Sequence, residues 1–391
     1  MIPIAALIVR DASPLRFGGL DLTERAAKLA RRAGVQHVQF ADDDRPFADA
    51  PFAESLLVLP ERTIVEPAVL TDLLRRGLRR PEDGVVVVDA NGNNTDLMLL
   101  SFRAVEYIRA VPRLRSGLRR LAARDVVRVV RVAPRFIACI GGESDLPRVE
   151  HDYLDHANGG ANEGVFTRNF RRFSIPLSRL LLRGSISANA VTLAGFALAL
   201  LAGLSFAAGT YAAGIAGALI YWASMVLDCS DGEVARATLS DSKFGAWLET
   251  ATDYLSYFVV LGGIVLGDIR REGVDEHAAA AAVAAIVSIA IVSIVGYQRA
   301  RVASVNPGAF DDALAAELKR GTAVQRFAAW GRQLIKRSFV AHLILFQALI
   351  GHLPTLTEIW ACGAVAALVT VLAVHAHLVR TVRVQPLRPA A

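Results

Sequence analysis

Residues Leu227–Phe258 read LDCSDGEVARATLSDSKFGAWLETATDYLSYF, and eight positions in them decide how the chain is understood: Asp228, Asp231, Gly232, Ala235, Arg236, Gly245, Glu249 and Asp253. The stretch lies inside or at the edge of strongly apolar sequence. Carboxylates at membrane depth are costly unless they pair or bind cations, so four of them this close together require a functional account. Asp228 and Asp231 are three residues apart and Glu249 and Asp253 four apart, so on helices each pair shares a face. Gly245 lies one turn before Glu249, where a missing side chain lets a helix or a ligand come close. Two such faces can enclose a pair of divalent ions. Gly232 and Ala235 leave room for a bulky ligand, and Arg236 offers donors suited to phosphate oxygens.

Composition agrees with a membrane setting. The chain has 391 residues, enough for two ordinary domains, and 53% of them are hydrophobic. Up to about Gly164 the sequence is ordinary and charged; beyond Ala188 it falls into long apolar runs. A soluble front and a membrane-embedded back is the natural division. The net charge of +6 does not point to nucleic acid. Its arginines cluster beside apolar segments, where orientation in the bilayer and anionic headgroups account for them, and no nucleic-acid motif is present. Cys139, Cys229 and Cys362 are far apart, with no CxxC, which fits a reduced cytoplasmic setting. MIPIAALIV at the start is too short for a signal segment, lacks a basic leader, and reads as a buried first strand.

Residues 1–140 alternate strand-like and helix-like stretches. Ile4–Val9 is followed by helical periodicity over Leu22–Ala33 with Gly34 at its end. Strand-like runs follow at Val35–Ala41 and Leu56–Leu59, and Pro67 opens a helix through Leu74 that Gly77 ends. Val85–Val88, Met98–Phe102, a basic helix near Ala104–Ala123 broken at Pro112, and strands at Val126–Val132 and Phe136–Ile140 complete the series. The alternation predicts an α/β sandwich with a mainly parallel sheet. Asp89 beside Asn91 and Gly92 reads as a turn residue. Residues 141–164 read as an acidic, Gly-rich linker, in which His151 and His156 lack anything to fix ligand geometry.

The remainder predicts an interfacial amphipathic helix over 165–187 and a six-helix membrane domain over 188–380, with a tail at 381–391. The spans fall at about 188–208, 211–229, 244–267, 277–297, 339–353 and 357–379. Arg168, Arg171, Arg172, Arg179 and Arg183 precede the first. Arg299, Arg301, Lys319, Arg320, Arg326, Arg332, Lys336 and Arg337 fill the loop after the fourth, and Arg380, Arg383 and Arg388 follow the last. With six spans all these groups face the cytoplasm of a multi-pass inner-membrane protein, as does the acidic motif between spans two and three. Ala and Gly in the spans permit close helix packing.

The acid cluster resembles the signature of the CDP-alcohol phosphotransferase family, D-x2-D-G-x2-A-R-x8-G-x3-D-x3-D, and seven of its eight fixed positions match at the required spacing. Ser185–Thr192 (SISANAVT) is similar to the family's entry to its first span, with Ala188 in place of a proline. The front domain looks like a sugar-nucleotide transferase, and the fusion resembles the inositol-phosphate cytidylyltransferase/di-inositol-phosphate synthase group. The glycine-rich loop expected after the first strand is absent: Val9–Phe17 holds no glycine, which implies a degenerate nucleotidyltransferase-like domain. The resemblance implies that Asp228, Asp231, Glu249 and Asp253 hold two Mg²⁺ or Mn²⁺ ions, with Asp253 also the general base. It implies that Asn189, Thr192, Asp228, Asp231, Gly232, Ala235, Arg236, Ser242 and Gly245 contact the CDP moiety. An acceptor hydroxyl would attack the β-phosphorus of a CDP-alcohol, such as CDP-diacylglycerol or a CDP-inositol, and release CMP. The acceptor would be a polar alcohol or phospho-alcohol, and the family habit is a homodimer among membrane lipids. Glu249 stands where the family has Asp, one methylene longer.

Arg299 and Arg301 suit either an acceptor phosphate or anchoring at the membrane surface. Three other readings stay open. One is a bifunctional cytidylyltransferase/phosphotransferase, and one is a catalytically dead membrane scaffold. The third is an ion-coupled transporter, which has no need of the fixed Gly, Ala and Arg spacing.

Overall fold

The computed structural model describes residues 2–11, 15–78, 84–89, 91–122, 127–131, 135–158, 165–302 and 337–381. The chain divides into two compact units. One comprises Met1–Gly160, Ile175–Ser187 and Gly232–Asp241; the other comprises Ala161–Ser174, Ala188–Asp231 and Ser242–Ala391.

The first unit is a three-layer α/β sandwich. Its sheet runs in the order β4 (His37–Asp42), β1 (Ile2–Arg10), β5 (Ala53–Pro60), β8 (Asn94–Ser101), β7 (Gly84–Val88), β9 (Val127–Arg131). The unbroken apolar run of β1 follows from burial on both faces. Ala6 and Ile8 enter a core with Ala26, Leu29 and Ala30 of α1 (Leu22–Arg32) and Leu70 and Leu73 of α2 (Pro67–Arg76). Ala5, Leu7 and Val9 enter the opposite core with Val105 and Ile108 of α3 (Phe102–Ile108) and Leu114 and Leu121 of α4 (Leu114–Ala122).

Local signals act as expected. Asp21 caps α1 by accepting from the amides of Thr23 (2.9 Å) and Glu24 (3.3 Å). Gly34 beyond its end has φ +94°, the left-handed conformation that favours glycine.

The sheet is mainly parallel, as expected, but one reversed strand makes it mixed. β1 pairs in parallel with β4 and β5, and β7 with β9, but β8 runs antiparallel to both β5 and β7. The cause is the tight turn at Asp89. Its Oδ1 accepts from the amides of Asn91 (2.9 Å) and Asn93 (2.7 Å), which sends the chain straight back beside β7.

Residues 141–164 also differ from a linker in their described part, since α5 (Leu146–Asn158) forms there and buries Val149, Tyr153 and Leu154. Tyr153 meets Phe17 and Phe136 edge-on, with centroids 5.4 Å away in each case. The apolar i, i+4, i+5 spacing inside GGESDLPRVEHDYLDHAN was masked by the acids around it.

The second unit is helical. α6 (Val165–Arg183), which also supplies residues to the first unit, is followed by α7 (Ala188–Ala207), α8 (Tyr211–Ala237), α9 (Lys243–Glu272), α10 (Glu276–Val302), α11 (Arg337–Leu349) and α12 (Thr355–Thr381). Among the described residues four helices are long and apolar enough to cross a membrane: Ala188–Ala207, Tyr211–Ala237, Lys243–Glu272 and Glu276–Ile294. α11 has 13 residues, short of the roughly 20 a bilayer needs, so six full spans are not seen among the described residues. The expected loop group from Lys319 to Lys336 and the tail at 382–391 lie outside the described residues.

α7 and α9 pack through glycine. A Cβ on Gly263 would run into the backbone of Gly203, and one on Gly267 into the backbones at Phe206 and Gly209. Leu193, Leu200, Leu201 and Leu204 of α7 remain exposed, as a lipid-facing surface requires.

Candidate active site

The signature residues sit on helices and not in a loop between spans. α8 continues without a break through Ala237, so Asp228 and Asp231 lie on one face of its C-terminal part. α9 starts at Lys243, with Ser242 as its cap: the Ser242 hydroxyl accepts from the amide of Gly245 at 3.0 Å. Glu249 and Asp253 follow within the first three turns.

In the second unit, α7, α8, α9 and α11 line a small cavity of about 10 Å³ whose polar wall includes Thr192, Asp228, Asp231, Asp253 and Arg337. Asp231 is 3% exposed, and its Oδ2 accepts from the Thr192 hydroxyl at 2.6 Å. Arg337 opens α11 and reaches both aspartates: its Nη1 donates to Oδ1 of Asp228 at 2.7 Å and also to Oδ1 of Asp253. The guanidinium lies 5.9 Å from the centre of the Tyr257 ring.

At the N-terminus of α9, Asn189, Ser242 and Gly245 come together. A Cβ at Gly245 would stand 3.2 Å from both Asn189 Oδ1 and Ser242 Oγ, so a side chain there would close the space between them.

Not every predicted residue joins this group. Glu249 is exposed and does not line the cavity. Among the described residues, no three of the motif carboxylates bring ligand atoms within 4.8 Å of one another, so the acids do not form a finished two-ion cage. Carboxylates on neighbouring helices repel unless a cation lies between them, and here the guanidinium of Arg337 takes that place. The side chains of Arg299 and Arg301 lie outside the described residues. Arg337 was assigned by its sequence to a cytoplasmic loop. Nothing in the local pattern marks it, because the approach of α11 to α8 and α9 is a long-range packing event.

Gly232, Ala235 and Arg236 belong to the first unit, where the end of α8 is held by the α/β domain. The last carbonyls of a helix have no partner within it. Here the Tyr153 hydroxyl donates to the carbonyl of Arg236 (3.3 Å), Arg25 to that of Ala237, and Lys28 Nζ to that of Thr238 (2.9 Å). Arg32 pairs with Asp241 at 2.7 Å. Arg25 is 2% exposed and stacks on the rings of Phe17 and Tyr153, 4.7 and 5.2 Å from their centres. Burial lowers its pKa, and Tyr153 partly offsets this. Leu239 inserts into the core beneath α1 and α2. The Arg236 guanidinium folds back over Gly232, where a Cβ would stand 3.2 Å from its Nη1.

The donor set suits hard divalent cations: every candidate ligand is a carboxylate oxygen, and Asp228 and Asp253 already share one positive charge. Long apolar helices that gather aspartates of α8 and α9 about one cavity fit a class, the membrane-embedded enzymes of phosphoryl chemistry. The family model for CDP-alcohol phosphatidyltransferase matches residues 185–383. The chain belongs to that family and is a transferase.

Among its relatives, the bifunctional IPC transferase and DIPP synthase of Rubrobacter xylanophilus is 30% identical over 346 residues, spanning 75% of this chain and 76% of that protein. The archaetidylinositol phosphate synthase of Pyrococcus horikoshii is 37% identical over 99 residues, 25% of this chain and 51% of the relative. A solved phosphatidylinositol phosphate synthase of Mycobacterium tuberculosis, in complex with manganese and citrate, overlaps 56% of this chain and 93% of its own, at 21% identity and a TM-score of 0.37.

Proposed function

We propose that this transferase moves a substituted phosphate from a CDP-alcohol to an acceptor hydroxyl and releases CMP. The observation that carries the reading is the sharing of one cationic group by Asp228 and Asp253, which come from different helices. Asp228, Asp231, Glu249 and Asp253 would hold Mg²⁺ or Mn²⁺, two ions per site. When bound, these ions supply charge that offsets the donor diphosphate and the departing CMP. Asp253 accepts the proton of the attacking hydroxyl. The new bond joins that oxygen to the β-phosphorus, and the bond from the β-phosphorus to the bridging oxygen breaks, leaving with CMP. Asn189, Thr192, Gly232, Ala235, Arg236, Ser242 and Gly245 would contact the CDP moiety. The backbone approach permitted at Gly232 and Gly245 supports this assignment.

The donor would be CDP-diacylglycerol or a CDP-inositol, and the acceptor a polar alcohol or its phosphate, as the names of the relatives suggest. We place the protein in the inner membrane as a homodimer, with six spans and with the site and the α/β domain on the cytoplasmic side. The excess of arginine beside the helices favours that orientation. The α/β domain reads as a degenerate nucleotidyltransferase that now braces the end of α8.

The test is CMP release by the purified full-length chain with Mg²⁺ and each donor against a panel of polyol and polyol-phosphate acceptors. Release that depends on Mg²⁺ and disappears in Asp253→Asn supports the reading. A second reading, a silent scaffold, is favoured by Glu249, which replaces the family's Asp and is exposed away from the cavity; absence of CMP release with every donor and acceptor would select it.

A further inference from the structure

Asp268, Asp275 and His277 surround the turn that joins α9 to α10, and one ligand atom from each lies within 4.8 Å of the other two. This is the far end of α9 from the signature acids. Asp268 follows Asp253 by fifteen residues, roughly 22 Å along a helix that rises about 1.5 Å per residue. Asp268 is 5% exposed, and its Oδ2 has no hydrogen-bond partner.

Neither arginine nearest to it in sequence is hydrogen-bonded to it. Arg270 donates to the carbonyl of Ala207 at the end of α7, and Arg271 pairs with Glu272 at 3.4 Å. Asp275 caps α10, its Oδ1 accepting from the amides of His277 (3.0 Å) and Ala278 (3.3 Å). His277 Nδ1 stands 3.3 Å from Glu358 Oε1 of α12 without a hydrogen bond. A buried carboxylate without a partner is costly unless a cation or a proton compensates it.

We infer that Asp268, Asp275 and His277, with Glu358 at the rim, form a second divalent-cation site separate from the signature acids. Two carboxylates and an imidazole suit a first-row ion of the Zn²⁺ or Mn²⁺ kind better than Mg²⁺, which prefers oxygen donors alone. The ion would tie the end of α9 to the start of α10 and to α12. It would act as a structural clip and take no part in phosphoryl transfer. The inference does not depend on the proposed reaction.

The experiment uses the full-length protein in lipid nanodiscs, stripped with a chelator, titrated with Zn²⁺ and desalted before the bound metal is counted. One form carries Asp228→Asn, Asp231→Asn and Asp253→Asn, so that the signature acids no longer compete. We expect this form to retain one zinc per chain and to gain thermal stability on adding it. Adding His277→Gln should weaken uptake at least tenfold and remove the thermal gain. In an otherwise wild-type chain, His277→Gln and Asp275→Asn should each lower the zinc count by one, which keeps the test valid if the triple variant does not fold. Unchanged zinc uptake in both single variants, or no uptake by a folded triple variant, would overturn the site.

Discussion

Arg337 and Asp228 stand 109 positions apart in sequence and 2.7 Å apart in space. The pair brings the start of α11 against the C-terminal part of α8, and the same guanidinium also holds Asp253 of α9. Three helices are thus tied at the point where the signature acids would otherwise repel one another. Arg337→Gln should remove the cation that bridges Asp228 and Asp253. Breaking a buried pair costs about 3–5 kcal/mol; partial exposure of both aspartates lowers the expectation here to about 2 kcal/mol. Thermal unfolding in detergent should show the loss without metal, and added Mg²⁺ should restore part of it.

Asp253→Asn keeps the shape of the side chain and removes its basicity. CMP release should fall by at least about a hundredfold, the usual contribution of a positioned base, while the melting temperature stays within a few degrees. Glu249→Asp should retain turnover with a changed Mg²⁺ or Mn²⁺ requirement. Loss of metal-dependent release in a folded Glu249→Asp protein would remove Glu249 from the ligand set.

Tyr153→Phe deletes one hydrogen bond to the end of α8, worth about 1 kcal/mol. Arg25→Met removes a donor to Ala237 and leaves that carbonyl buried, which should cost about 2 kcal/mol. Limited proteolysis between Thr238 and Asp241 should accelerate in both, more so for Arg25→Met. If Arg236 binds the donor, KM for the CDP-alcohol should rise more than kcat falls. Equal proteolysis rates in both variants and wild type would dismiss the brace.

Gly262 and Gly263 differ only in what faces them. A Cβ on Gly262 meets nothing within 4 Å, whereas one on Gly263 strikes the backbone of Gly203. Gly262→Ala should fold normally, and Gly263→Ala should push α7 from α9 and lower the yield of monodisperse protein. Size-exclusion profiles in detergent make the comparison.

Asp89 offers a pH test outside the membrane helices. Desolvation raises its pKa, but hydrogen bonds from Asn93, Asn91 and Gly92 outweigh this and hold the carboxyl below its ordinary range. The folded value is therefore below the unfolded one, near 3.9. The stabilisation is present above that pH and is lost as pH falls through the folded value. Hydrogen exchange in β7 and β8 should be faster in Asp89→Ala than in wild type at neutral pH, and the difference should shrink in acid.

What the residues determined by themselves was local. The unbroken apolar run of β1, Asp21 and Gly34 at the ends of α1, Pro67 before α2 and the long apolar helices from Ala188 onward were all readable from the chain. The spacing of Asp228, Asp231, Gly232, Ala235, Arg236, Gly245 and Asp253 was enough to point to the family. These features depend on neighbours within a few residues, where backbone sterics and side-chain periodicity act directly.

Tertiary structure decided what depends on distant partners. It turned an acidic stretch into α5 by burying Tyr153 against Phe17, and fastened the end of α8 to Arg25 and Lys28. It drew Arg337 among the aspartates while leaving Glu249 exposed. No local pattern encodes these outcomes, because each is set by which surfaces meet across more than about fifty residues of chain, and a charge placed there is judged by its partners in space.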